Sequence, residues 1–189
     1  MGVLLACLPV QAAEAAARGN THACPLDSML VVPSQRDYNL SQWSTTRLYK
    51  AALGAQDTWV DCLFHGLHGP EFLAVESGAY DGEEHSNTLF LELHRKWACI
   101  LVEPNPHLAI QLLAKRRKCY TLLGGLPVRS KLSTFPLKLA GPLSGYPLAY
   151  SQRHRQRVDG EIAGGAPWML GPHGSGDVID VPSCPLHEV

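Results

Sequence analysis

The sequence predicts an α/β fold built on a parallel sheet. Two continuous apolar runs carry that expectation, Glu71 to Glu76 (EFLAVE) and Ala98 to Val102 (ACILV). Each has strand length and is apolar throughout, as a strand buried on both faces requires. Helical spacing of apolar residues follows each run. Strands that alternate with helices of this length form a parallel sheet with right-handed crossovers.

In chain order, residues 1–26 form an N-terminal segment. Its apolar run Val3 to Val10 precedes small residues, like the hydrophobic and cleavage regions of a signal peptide, although no Lys or Arg stands before it. A signal peptide, a frayed terminus and an incomplete gene start all fit. The run is far too short to cross a bilayer, so no transmembrane helix is expected. Residues 27–70 read as an irregular extension. They hold a glycosylation tripeptide, Asn39-Leu40-Ser41, and a short helix is expected from Thr45 to Leu53. His65 and His68 have no third ligand nearby in sequence, so turn residues are a better reading than a metal pair.

The third unit, residues 71–189, opens with the strand EFLAVE. Gly78-Ala79-Tyr80-Asp81-Gly82 breaks it. A helix is expected from Ser86 to Trp97, with Leu89, Phe90, Leu93 and Trp97 on its apolar face and Asp81 or Ser86 as cap. The second strand, ACILV, ends in Glu103-Pro104-Asn105-Pro106. Pro106 suits the first turn of the next helix, which should turn Leu108, Leu112 and Leu113 inward. Tyr120 to Leu123 begins a third strand. Beyond Gly124, Phe135 to Leu139 and Val178 to Val181 are strand-like, and the Gly-, Pro- and Arg-rich stretch between them reads mostly as loop.

Bulk properties narrow the function. The chain has 189 residues and a net charge of −1. That leaves no global basic field, so a nucleic-acid partner is not expected. The run Lys115-Arg116-Arg117-Lys118 reads as a cationic helix end complementing the dipole. The six cysteines include no Cys-x-x-Cys pair, which disfavours a zinc knuckle. Cys99 and Cys119 each start a parallel strand and can be neighbours, but two buried free thiols are the default expectation.

In an open α/β sheet, ligands sit off the carboxyl ends of the strands at a switch point. The first strand delivers Glu76, Gly78 and Asp81 to that edge, and the second delivers Glu103. A carboxylate there can accept both hydroxyls of a ribose. Asp81, Glu83 and Glu84 would repel a pyrophosphate, and Gly78 to Gly82 is not the dinucleotide spacing. A cationic nucleoside such as S-adenosylmethionine fits better. Acid and glycine after a strand are nevertheless common in any Rossmann-like fold.

The words VESGAYDGEEHSNTLFLE, WACILVEPNP and LLAKRRKCY resemble the FkbM-type methyltransferase domain, and more closely its animal Star-like branch. DYNLSQW, Leu139 to Gly145 and Cys184-Pro185-Leu186 also look like family positions. The resemblance implies a Rossmann-like class I S-adenosylmethionine-dependent methyltransferase fold. Glu76, Gly78, Ala79, Asp81, Gly82 and Glu103 would lie at the cofactor edge. It also implies secretory-pathway transport of growth-factor-like ligand precursors between endoplasmic reticulum, Golgi and endosomes. An active O-methyltransferase and a non-functional fragment are the alternatives. Three departures stand out. Gly124-Gly125-Leu126-Pro127 replaces a Cys-Leu-Ser-like turn, the family's usual membrane anchor is missing, and no Asp-x-Glu-Gly segment follows Cys184. A C-terminally truncated domain with an exposed, apolar sheet edge is therefore expected.

Overall fold

The computed structural model describes residues 2–4, 26–41, 56–126, 134–169 and 171–184. The chain is α/β. Strands β1 (Gly2–Leu4), β2 (Leu30–Val31), β3 (Leu73–Ser77), β4 (Ala98–Val102) and β5 (Tyr120–Leu122) form one mixed sheet in the order β1-β3-β4-β5-β2. The three central strands are parallel, and the two short outer ones run antiparallel to them. Strands β6 (Thr134–Lys138) and β7 (Val178–Pro182) pair antiparallel in a second sheet. Helices α1 (Leu26–Met29), α2 (Gln56–Leu63), α3 (Pro106–Ala114) and α4 (Gln152–Ala163) complete the regular elements.

Strand β4 explains the core. Its side chains alternate between faces. Cys99 and Leu101 join Ala74, Leu91, Trp97 and Leu112 on one side. Val102 joins Met29, Val75, Leu122 and Cys184 on the other. Both faces are covered, as a parallel strand with no polar positions requires. The edge of β3 is paired with β1, with Gly2 opposite Ser77 and Leu4 opposite Val75. Part of the signal-like run thus supplies an edge strand beside β3. The expected helix at Thr45 to Leu53 lies outside the described residues.

Several expectations are corrected. The helix placed at Ser86 to Trp97 starts only at Leu89 and closes in a π-helical turn, Leu91–Arg95. Ser86, Asn87 and Thr88 are held instead by the Glu76 carboxylate. Ser86 is the cap, its hydroxyl accepting from the Leu89 N–H. Helix α3 has its expected Pro106 start, with Asn105 as its cap, but its inward residues are Leu108, Ala109 and Leu112. Leu113 is exposed, because it lies one position past the buried stripe. The supposed loop between β6 and β7 contains the twelve-residue α4, which buries only Val158. Cys99 and Cys119 are not free thiols but a disulfide joining β4 to the start of β5. Ile100 pairs with Tyr120, so the preceding residues of the two strands are lateral neighbours. Cys184 is disulfide-bonded as well, and Cys62 is free and exposed.

The second lobe, residues 134–184, folds back over the carboxyl edge of the main sheet. Gly125 bridges Ser183. Asn105 ties the sheet edge to the lobe, its Nδ2 donating to the Ser144 hydroxyl and to the His173 carbonyl.

Candidate nucleoside pocket

Off the carboxyl ends of β3, β4 and β5 lies a cavity of about 250 Å³. Ser77 and Gly78 reach it from β3, Glu103 and Pro104 from β4, Gly125 and Leu126 from β5. The second lobe forms the opposite wall with Phe135, Leu137, Ser144 and Tyr146. Because β3, β4 and β5 are successive neighbours in one direction, the described strands contain no reversal of parallel order. The lobe, rather than a switch-point crevice, encloses the space.

Gly78 has φ +79° and no atom within 4 Å of where a Cβ would stand. It therefore gives the wall an open backbone face. Tyr80 is also left-handed, at φ +56°, a costly conformation for a non-glycine residue. In that conformation its N–H donates to Glu103 Oε2 at 2.7 Å. The Asn105 N–H donates to Glu103 Oε1 at 2.8 Å. Each carboxyl oxygen thus keeps one lone-pair direction free of these bonds. Burial, with a smaller push from Glu76, raises the Glu103 carboxyl to about 8, against the two N–H bonds that favour its charge. Burial likewise lifts the Tyr80 phenol, helped by Glu84, Asp81 and Glu103.

The other sequence-predicted residues have different surroundings. Glu76 is buried, and its carboxylate accepts from the Ser86 and Thr88 hydroxyls and from the Asn87 N–H and amide. It fastens the acidic loop to β3. Ala79 is buried, and its N–H donates to the Val102 carbonyl. Asp81 Oδ1 accepts from the N–H groups of Glu83 and Glu84, while Oδ2 lies 3.4 Å from Lys115 Nζ. Gly82 passes so close to α3 that a Cβ would stand 2.2 Å from Leu112 Cδ1. Of the six, Gly78 and Glu103 border the cavity. Asn39 is exposed, with its Nδ2 donating to the Ala114 carbonyl. Ser41 of the same tripeptide donates its hydroxyl to Glu83 at 2.6 Å.

The cationic run is not a solvated helix end. Arg117 is buried, ion-paired with Glu92, and donates to the Gly82 carbonyl and the hydroxyls of Ser86 and Thr88. Lys115 bonds Glu83 at 2.7 Å. Burial opposes the Lys115 charge, but Glu83 and Asp81 outweigh it and raise the ammonium above its usual range. The run therefore organises the acidic loop from behind. Sequence reasoning also missed Tyr80, Phe135, Ser144 and Tyr146 as cavity residues. The signal for the lobe residues is tertiary and has no local spacing.

No family model matches the chain, and neither a curated protein nor a solved structure is significantly similar to it. No helix among the described residues is long and apolar enough to cross a membrane.

Proposed function

We propose that this chain is a nucleoside-binding, class I methyltransferase-like domain of the FkbM type. In this reading it takes S-adenosylmethionine and belongs to the Star-like branch that assists growth-factor-like precursors through the secretory pathway. One observation carries the nucleoside reading: a buried carboxyl, Glu103, stands at the strand-end cavity, where as the neutral acid it can donate to one hydroxyl of a vicinal diol and accept from the other. The cavity's size supports a single nucleoside. Between the described residues it measures about 250 Å³, just below the usual range for drug-sized ligands. Among the described residues, no Lys, Arg or His lines it. The disulfides at Cys99–Cys119 and Cys184 support an oxidising compartment. The fold by itself licenses no catalysis, so the trafficking role is that of a binding scaffold.

Equilibrium dialysis with labelled S-adenosylmethionine tests the site. Saturable retention that Glu103→Ala abolishes supports it, while equal retention by both forms overturns it. Co-precipitation of an epidermal-growth-factor-like precursor from secretory membranes tests the scaffold role. Failure to capture any such precursor removes that role and leaves the nucleoside site standing.

A further inference from the structure

Behind the acidic loop, and away from the cavity, lies a second chemical grouping. Glu92, Cys99 and Cys119 are all buried, and one ligand atom from each falls within 4.8 Å of the others. Two of the three are sulfur atoms now joined as a disulfide. We propose that this pair is a redox-gated metal site: a disulfide when oxidised, and a Cys2Glu site for zinc(II) or a similar thiophilic dication when reduced.

Three features favour the metal form. The Cys119 Sγ to Glu92 Oε2 separation is 3.2 Å. A tetrahedral zinc with Zn–S about 2.3 Å and Zn–O about 2.0 Å spans an S···O edge of about 3.5 Å, so this edge is already near its length, while the two sulfurs must part to about 3.8 Å once the disulfide opens. The charges also balance. Two thiolates and a carboxylate are offset by a dication together with the Arg117 guanidinium, which ion-pairs with Glu92 and lies 3.7 Å from Cys119 Sγ. An arginine in that place hydrogen-bonds anionic ligands from outside the coordination shell and holds them in place. Finally, β4 and the start of β5 hold the two cysteines at a Cα separation of 4.7 Å in the disulfide form, and the pairing of Ile100 with Tyr120 keeps them lateral neighbours when the bond opens.

The chemistry is balanced by an external dithiol. It gives two electrons to the Cys99–Cys119 bond and is itself oxidised to a disulfide, and each cysteine sulfur takes up one proton. The dication then displaces both thiol protons and binds the two thiolates and Glu92. Because the same sulfurs serve both forms, disulfide and metal exclude each other. The proposal does not rest on the nucleoside reading, and it holds in whichever compartment supplies a reductant.

The test uses the full chain, reduced with a phosphine and desalted, then titrated with cobalt(II) and competed with zinc(II). The reduced chain should take one equivalent, with a thiolate-to-cobalt charge-transfer band that zinc removes. The oxidised chain should show no such band. Cys119→Ser should weaken the band and abolish stoichiometric binding. Glu92→Gln, which keeps both thiols but removes a direct ligand, should lower affinity by at least the roughly 10–100-fold that loss of an outer-shell partner costs. Cys62→Ser and Cys184→Ser should leave the band unchanged. Circular dichroism checks that each variant is folded, and if Cys119→Ser is not, Glu92→Gln and the two control variants decide. A reduced wild-type chain without the band, or a band that follows Cys62 or Cys184 and ignores Glu92, overturns the proposal.

Discussion

Replacing Arg117 with methionine should be among the most damaging single changes outside the sheet. The guanidinium side chain is 1% exposed and its partner Glu92 is 3% exposed. Methionine fills much of the space but leaves Glu92 buried without its cation. It also strips donors from the Gly82 carbonyl and the Ser86 and Thr88 hydroxyls. Breaking a buried ion pair from one side costs about 3–5 kcal/mol. Glu92 keeps the Tyr38 hydroxyl and the Lys118 N–H, so the lower end, about 3 kcal/mol, is expected. In urea, with a slope of about 2 kcal/mol/M, the midpoint should fall by about 1.5 M. Glu92→Met combined with Arg117→Met should recover most of the loss, because replacing both members of a buried pair by apolar residues is often neutral or stabilising. Equilibrium urea unfolding followed by circular dichroism measures both variants against the wild type. A loss below about 0.5 kcal/mol in the single variant, the scale of an ordinary surface change, would refute the view that this cluster organises the acidic loop.

The remaining predictions concern the sheet, the cavity wall and the loop. Cys99 and Cys119 are separated by 20 residues, so loop entropy implies that Cys99→Ala with Cys119→Ala costs about 3 kcal/mol; thermal unfolding of the double variant and the wild type, both without reductant, should show that loss. Glu103, raised to about 8 by burial, binds its proton more tightly folded than unfolded, where the value is about 4.3. Its contribution is therefore complete below about pH 4.3 and is lost as pH rises to about 8, a change on the order of 5 kcal/mol; urea midpoints across that window should flatten in Glu103→Gln. Gly82→Ala meets Leu112 and keeps a positive φ, whereas Gly78→Ala has the strained φ but open space. The first should cost about 1–3 kcal/mol more than the second, and equal losses would show that α3 does not clamp the loop.

Much of the central sheet was legible. ACILV became β4 with its expected ends, because an apolar run between Trp97 and Glu103-Pro104 leaves few other assignments. Pro106 marked the start of α3 because a first-turn proline acts locally. What the sequence hid is tertiary. Arg117 looked like one cation in a solvated run, and its partners Glu92 and Gly82 stand 25 and 35 residues away. Helix α4 carries no apolar stripe, since only Val158 is buried, so periodicity had nothing to register. Glu76 and Glu103 looked equivalent as acids ending parallel strands. They differ because Ser86-Asn87-Thr88 folds back onto one and the second lobe leaves a cavity beside the other. The disulfide depended on the register between β4 and β5, which composition does not encode.

Isothermal titration of the full chain with S-adenosylmethionine, with NAD as comparator, tests the central claim most directly. A saturable one-site heat with S-adenosylmethionine, none with NAD and none after Glu103→Ala is the predicted result. No heat with S-adenosylmethionine at millimolar concentration, from a chain that unfolds cooperatively, would contradict it.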